Sequence, residues 1–220
     1  MSSLFKALTK IALSRATPFI FFLAGTVFYH LVFHANDDNP TTFKTATETV
    51  ESSTEASDPL CVHLDGHLSD ADKDALQIAE DIVAKFEGLR LKLYADRGVP
   101  TIGYGHHLTG SEASIQTITR ETADCFLKED IRETINFIDA KIKVPLNPNQ
   151  IAALSSWIYN VGPGAANHST LFQKLNDGDF LSVPSELNRW IHVGKHTSHI
   201  LETRRQSEAD LWNTPYKKEN

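Results

Sequence analysis

An apolar stretch without charged residues, close to the N-terminus, limits most strongly what this chain can fold into. From residue 16 to residue 36 there is no Asp, Glu, Lys or Arg, and phenylalanine, leucine, isoleucine and valine dominate. As a helix, such a stretch spans about 30 Å, the thickness of the hydrocarbon core of a bilayer. The positive-inside rule predicts a cytoplasmic N-terminus at residues 1–15, a single-pass signal anchor at residues 16–35 and a periplasmic location for the rest. The charges behind this prediction are Lys6, Lys10 and Arg15 before the stretch, and Asp37 and Asp38 after it.

The anchor has three conceivable fates. Its full length and the lack of a clean cleavage site favour a permanent anchor, because Phe33 stands where a small residue would be needed before Ala35. A cleaved signal peptide and an anchor that can leave the bilayer remain open alternatives. Burial stabilises each of the many phenylalanines by about 1.5–3 kcal/mol, which opposes escape from the bilayer.

Residues 36–68 have the composition of a linker. Threonine, serine and glutamate dominate residues 36–60, and aromatic side chains are almost absent. Such a sequence cannot bury enough apolar surface to fold by itself. As a flexible coil of about 25 residues, its ends would lie on the order of 28 Å apart. We therefore expect it to tether a domain at residues 69–220 to the membrane.

Charge and cysteine content argue against two classes of protein. Residues 69–220 hold 21 acidic and 17 basic residues, a net charge of −4, whereas a domain that binds nucleic acid normally has a basic surplus. Two cysteines, Cys61 and Cys125, are too few for a disulfide framework. Either one bridge between them or two free thiols fits the sequence.

Hydrophobic periodicity predicts a mostly helical α+β domain. Ser69 and Asp72 form a capping-box pattern ahead of a helix that Gly88 would end. Alternation between Leu91 and Tyr104 predicts a short β-hairpin. A long helix is expected from about Arg120 to Lys143, and shorter helices are expected at 147–162, 170–176, 185–190 and 200–212.

Two carboxyl groups lie where this pattern brings a helix end beside a hairpin. Glu87 is in the last turn of the first helix, Asp96 follows nine residues later, and Thr101 opens the returning strand. Glycoside hydrolysis needs one protonated carboxyl to donate to the leaving oxygen, and a second group to act from the other face. Spacing alone is weak support, because among 28 acidic residues a solvated glutamate and a turn-forming aspartate are commonplace.

The residues around this pair resemble a known signature. The segments 86–96 and 98–106 resemble the phage-type lysozyme family, which includes the T4-like enzymes and the endolysins of lambdoid phages. The agreement extends in order over roughly residues 70–213, through 152–154, 159–162, 169–171, 175–179, 189–190, 204–205, Glu208 and 211–212. The resemblance implies a two-lobed fold joined by the long helix. It also implies cofactor-free cleavage of the β-1,4 bond between N-acetylmuramic acid and N-acetylglucosamine.

The resemblance also implies roles for individual residues. Glu87 would be the acid, and Asp96 with Thr101 would orient or activate the attacking water. Arg204 and Arg205 are expected to form salt bridges near the cleft, and one of them would steady Glu87. The candidates for binding the sugar are Tyr104, His106, Tyr159, Asn160, Gly162 and Arg204. No metal is expected, because no acid or cysteine completes a ligand set with the histidines at 192, 196 and 199.

This chain departs from the family pattern in two places. Four residues separate Asp96 from Thr101 where relatives have five, so Asp96 is expected to be displaced from its usual position. Residues 196–199 read His-Thr-Ser-His where relatives tend to be rich in glycine, which affects the expected wall of the cleft.

Two other functions remain open from the sequence. A lytic transglycosylase would use Glu87 alone, and a non-catalytic module would only bind the wall. The expected partners are peptidoglycan and, through residues 16–35, the host inner membrane or a virion membrane. A monomer is expected. Host lysis, wall opening during infection and wall remodelling all fit the sequence.

Overall fold

The computed structural model describes residues 68–96 and 98–218. The expected N-terminal segment, the anchor, the linker up to residue 67 and Cys61 lie outside the described residues. Within those two ranges no helix is both long enough and apolar enough to cross a bilayer. Cys125 is disulfide-bonded.

Helix α1, Asp70–Glu87, begins and ends where its flanking residues predict. The Ser69 hydroxyl accepts a hydrogen bond from the Asp72 N–H, and the Asp72 carboxylate accepts one from the Ser69 N–H, so the predicted capping box is present. Gly88 ends the helix with φ of 68°, a left-handed conformation that glycine adopts without strain. Glu87 is therefore held in the last position of the helix.

The predicted hairpin is part of a three-stranded antiparallel sheet. Its strands are β1 (Arg90–Asp96), β2 (Val99–Gly103) and β3 (His106–His107), in the order β1-β2-β3. Tyr94 pairs with Thr101 and Asp96 pairs with Val99, and two residues of sequence separate this last pair. Because alternate residues of a strand share a face, Tyr94, Asp96 and Thr101 lie on one face of the sheet.

Helix α2, Arg120–Lys141, connects the sheet to the helical lobe. It ends two residues before the predicted boundary at Lys143. It buries a stripe of apolar residues and packs against β2 and β3 as well as against α1. The two lobes thus share one connecting helix, as the family resemblance implies.

The second lobe is built around α3, Pro148–Val161. Asn147 caps this helix reciprocally with Gln150, and Trp157 is completely buried within it. Around it are α4 (Pro163–Asn167), α5 (Thr170–Asn176), α6 (Val183–Leu187), α7 (His199–Asn213) and a two-stranded sheet of β4 (His192–Val193) and β5 (His196–Thr197). Helix α3 packs against α1, α2 and α7 and so positions all three around one core. The sequence did not predict α4 or the β4–β5 hairpin, and it placed α6 too late, at 185–190.

Candidate active site

The centre of the site is a buried ion pair between Glu87 and Arg204. The Arg204 Nη1 lies 2.5 Å from the Glu87 Oε1, and the side chains are 8% and 3% exposed. A carboxylate at the C-terminal end of a helix lies near the negative end of the helix dipole, so a cation is needed beside it. Arg204, six residues into α7, supplies that cation, in agreement with the expectation that an arginine would steady Glu87.

A second buried carboxylate, Glu208, lies on the far side of Arg204. The Glu208 Oε1 accepts hydrogen bonds from the Arg204 Nε (3.2 Å), the Arg205 Nη2 (3.0 Å) and the Ser156 hydroxyl (2.8 Å). The Arg205 Nη2 also donates to the Asn160 Oδ1 at 3.1 Å. Burial raises the pKa of Glu208, although both arginines oppose the rise. Burial lowers the pKa of Arg205 to about 10, so this side chain remains cationic at neutral pH.

Tyr94 links Glu87 to Asp96 electrostatically. Burial raises the pKa of Tyr94; the charge of Arg90 lowers it, and the charges of Asp96 and Glu87 raise it further. The Arg90 guanidinium lies over the Tyr94 ring, 4.6 Å from its centroid. The charges of both carboxyl groups therefore act on the same phenol hydroxyl.

Thr101 lies beneath the surface of the hairpin. It is completely buried, and its hydroxyl donates to the Val99 carbonyl at 2.9 Å. Val99 is the residue that pairs with Asp96 across the turn. The Thr101 side chain therefore holds the shape of the turn that carries Asp96.

His106 and Tyr104 direct their side chains toward α2. The His106 Nδ1 lies 3.0 Å from the Asp130 carboxylate, its Nε2 lies 3.4 Å from Glu112, and its ring stacks on Phe126. Burial lowers the pKa of His106, but the hydrogen bond and charge of Asp130, together with Glu112, outweigh it and raise that pKa overall. The Tyr104 hydroxyl donates to the Asp124 carboxylate at 2.9 Å. These contacts fix the end of the sheet on the connecting helix.

Tyr159 joins the helical lobe to the turn beside Glu87. Its hydroxyl donates to the Tyr104 carbonyl at 3.1 Å and lies 3.5 Å from an Asp130 oxygen. Burial, and then the charges of Asp130 and Glu87, raise its pKa well above the usual value, so it is a neutral donor. Gly105 adopts φ of 102°, and a Cβ there would lie 4.0 Å from both the Glu87 Oε2 and the Tyr159 hydroxyl. The turn at Gly105 therefore passes close to the Glu87 carboxyl.

The remaining candidates lie at the margin of this arrangement. Gly162 ends α3 with φ of 84°, and Asn160 is occupied by Arg205. The histidines at 192 and 196 lie on β4 and β5, and His199 pairs with Glu202 at 3.4 Å. Within the part of the chain that the structure describes, no three His, Cys, Asp or Glu side chains form a group that could hold a metal.

Sequence reasoning missed three residues of the site. It gave no role to Tyr94, Ser156 or Asp130, and it included Glu208 only as part of the family pattern. A signal was present for Glu208, because acids three and four residues after an arginine share its face of a helix. For Ser156 and Asp130 the partners are distant in the chain, and no local pattern marks them.

Comparison with known proteins shows which family this chain belongs to. The Phage lysozyme family model matches residues 84–208, more than half of the chain. The endolysin of Bacillus phage B103 is 38% identical over 144 residues, which cover 63% of this chain and 53% of that protein, so the chain spans about half the length of this relative. The SAR-endolysin of Bacteriophage PS119 is 38% identical over 130 residues, covering 57% of this chain and 77% of that protein.

A solved structure is similar to this chain in fold. A crystal structure of a P22 lysozyme mutant has 36% identity and a TM-score of 0.56, and the match covers 62% of this chain and 95% of that one. The matched family region contains Glu87, Asp96, Thr101 and Arg204, and it ends at Glu208. This chain belongs to the phage lysozyme family.

Proposed function

We propose that this protein is an endolysin-type lysozyme, a glycoside hydrolase that cleaves the β-1,4 bond between N-acetylmuramic acid and N-acetylglucosamine in bacterial peptidoglycan. The observation that carries the proposal is the position of Glu87, a buried carboxyl held by Arg204 beside the turn at Gly105, in the sheet whose first strand ends at Asp96. Two carboxyl groups flanking one cleft are what the reaction requires. Membership of the phage lysozyme family supports peptidoglycan as the substrate.

Glu87 acts as the general acid. Its proton passes to the glycosidic oxygen as the bond to the leaving sugar breaks, and Glu87 becomes a carboxylate. Arg204 is already in contact with the oxygen that gains this charge. Such a preorganised cation stabilises the developing charge without rearrangement.

Asp96 acts from the other face of the sugar. As a carboxylate it accepts a proton from the attacking water, or it stabilises the positive charge that develops on the sugar ring. Thr101 acts through the turn, because its hydroxyl is bonded to the carbonyl of the residue that pairs with Asp96. Because Thr101 is completely buried, we assign it a positioning role in place of the expected contact with the attacking water.

The six sugar-binding candidates take two kinds of role. Tyr159 is partly exposed beside the turn near Glu87, and we assign it a direct contact with substrate. Tyr104 and His106 act by fixing the 104–106 backbone to α2. Arg204 and Asn160 act indirectly, through the buried hydrogen bonds that they share with Arg205 and Glu208, and Gly162 acts by ending α3.

We further propose that residues 16–35 anchor the enzyme in the host inner membrane or a virion membrane, with the catalytic domain periplasmic. The support is the uncharged apolar stretch and the similarity to a relative named SAR-endolysin. A tether raises the local concentration of enzyme at the wall, which offsets the weak attraction of a domain with a charge of −4 for an anionic polymer. We expect a monomer that degrades the wall in host lysis.

The products of digestion test the proposed reaction. The full-length chain, purified in mild detergent, is incubated with purified peptidoglycan, and the soluble muropeptides are identified by mass. Products with ordinary reducing ends are expected, and they should decrease sharply for Asp96→Asn. Products lighter by one water, released equally by Asp96→Asn, would instead identify a lytic transglycosylase. A folded chain that binds the wall but releases no fragments would be a non-catalytic binding module.

The anchor is tested separately by fractionation. The full-length chain should remain with membranes after alkaline extraction, and protease added to spheroplasts should digest its catalytic domain. Phe22→Asp, which places a charge within residues 16–35, should move the protein to the soluble fraction. Thr49→Asp, the same charge in the linker, serves as the control. Wild-type protein that alkaline extraction releases would contradict a permanent anchor.

A further inference from the structure

The proposed reaction gives no role to Glu208, a buried carboxylate that shares Arg204 with Glu87. Glu208 is completely buried, and one of its oxygens accepts three hydrogen bonds. Burying a carboxylate costs free energy that its partners recover only in part, and an apolar residue often serves stability equally well. A purely structural explanation therefore leaves the position of this charge unexplained.

Glu208 and Glu87 compete for the same guanidinium. Arg204 directs its Nη1 to Glu87 and its Nε to Glu208, while its Nη2 donates to the Ser156 carbonyl at 3.0 Å. With all three nitrogens engaged and the side chain 3% exposed, Arg204 cannot turn without losing a buried contact. The positive charge of Arg204 beside Glu87 is thus partly offset by the carboxylate of Glu208, which is fixed in place.

The net charge of this buried cluster depends on whether Glu87 is protonated. With Arg204, Arg205, Glu208 and Glu87 all ionised, the cluster is neutral, and it carries one positive charge when Glu87 is protonated. Without the charge of Glu208, two cations would act on Glu87 unopposed. Nearby positive charge favours the ionised form of a carboxyl group, which cannot donate a proton.

We propose that Glu208 is a positioning residue that holds Arg204 and, by offsetting the two arginines, keeps Glu87 able to carry the proton it donates. This inference rests on the proposed function, because it assumes that Glu87 is the general acid. Glu208 touches neither the sugar nor the reacting atoms. Its effect reaches Glu87 through Arg204.

Other charged or titratable groups lie around Glu87, but in the described part of the chain the carboxylates that Arg204 contacts are Glu87 and Glu208. The sheet contributes Tyr94, with Asp96 and Arg90 beside it. Helix α3 contributes Tyr159, with Asp130 of α2 behind it. Burial raises the pKa of both tyrosines, so both are neutral near pH 7.

The pH dependence of kcat/KM on soluble peptidoglycan fragments tests the proposal, using the full-length chain. The alkaline limb of the profile reports loss of the proton from the general acid. Glu208→Gln should move that limb to lower pH, by on the order of one unit. Arg205→Gln removes a positive charge from the same cluster and should move it to higher pH, whereas Arg205→Lys should leave it in place.

The chain offers a matched control in Glu186. It is also a buried carboxylate, 5% exposed, held by Lys174, Arg189 and the Thr170 hydroxyl. None of these groups contacts Glu87. Glu186→Gln should therefore lower stability without moving the alkaline limb.

The two variants of the cluster exclude an effect of destabilisation alone, since loss of stability cannot move the limb in opposite directions. The proposal is overturned if Glu208→Gln folds and its alkaline limb is unchanged. It is also overturned if Glu186→Gln moves the alkaline limb as far as Glu208→Gln does. If Glu208→Gln does not fold, the proposal is overturned when the alkaline limb of Arg205→Gln stays at the wild-type pH. The carboxyl ¹³C titration of Glu87 should shift with the limb, and this readout does not depend on turnover. Full activity in Glu87→Gln would instead contradict the proposed function itself.

Discussion

Arg204 donates a hydrogen bond to Glu87, which lies 117 positions earlier in the sequence. This bond joins the last residue of α1 to the sixth residue of α7. Both side chains are almost completely buried. This contact connects the proposed acid with the core of the helical lobe, so stability and activity depend on the same pair.

Replacing Arg204 should cost both stability and activity. Arg204→Gln leaves two buried carboxylates, Glu87 and Glu208, without their shared cation. Breaking a buried ion pair from one side costs about 3–5 kcal/mol. The free energy of unfolding, measured in urea, should fall by that amount. Lys174→Gln should cost clearly less, because Lys174 is half-exposed and its buried partner Glu186 keeps its ion pair with Arg189. Equal losses in the two variants would contradict the importance of the buried pair.

The His106–Asp130 pair should make stability depend on pH. Because the pKa of His106 is raised above its usual 6.5 in the folded protein, its stabilising contribution is complete below pH 6.5. That contribution is lost as the pH rises through the folded-state pKa. Urea unfolding at several pH values should show the decline above pH 6.5 in the wild type and a weaker decline in Asp130→Asn. An identical pH dependence in both proteins would contradict the assignment.

Gly105→Ala should impair activity more than stability alone explains. At φ of 102° an alanine is strained, and its methyl group would lie 4.0 Å from the Glu87 carboxylate. The strain costs roughly 1–2 kcal/mol. Gly178→Ala is the matched control, because Gly178 has φ of 86° and a Cβ there would meet no atom within 4 Å. Both variants should lose similar stability, and only Gly105→Ala should lose a large part of kcat.

Tyr159→Phe should weaken the link between the lobes. The change removes the donor to the Tyr104 carbonyl, at a cost of about 0.5–1.5 kcal/mol. We expect a matching fall in the free energy of unfolding and a several-fold fall in kcat, because the turn beside Glu87 loses its tie to α3. Tyr216→Phe, which removes a hydrogen bond to Asp74 at 2.7 Å, should leave kcat unchanged. Unchanged kcat in Tyr159→Phe would contradict the role given to this bond.

The sequence predicted those elements whose ends carry local signals. The boundaries at Ser69, Gly88 and Asn147 follow from capping residues, and the long α2 follows from its apolar stripe. Helix α4 and the β4–β5 hairpin were missed, because five and two residues are too few to show a period.

The sequence allowed candidate site residues to be named, but it did not predict the contacts among them. Glu87 and Asp96 could be named because they lie close together in a recognisable segment. The bond between Ser156 and Glu208 joins residues 52 positions apart, and the bond between His106 and Asp130 joins residues 24 apart. Such contacts depend on how the helices pack, which no local pattern specifies.

Release of reducing ends from peptidoglycan by Glu87→Gln tests the central claim most directly, because glutamine keeps the shape of the side chain but has no acidic proton to donate. Glu80→Gln is the matched control, since Glu80 is a partly buried carboxyl on the same helix, paired with Lys128 rather than with Arg204. The account predicts that folded Glu87→Gln releases at least about a hundredfold fewer ends than the wild type, and that Glu80→Gln remains active. Wild-type activity in a folded Glu87→Gln would contradict the assignment of Glu87 as the acid.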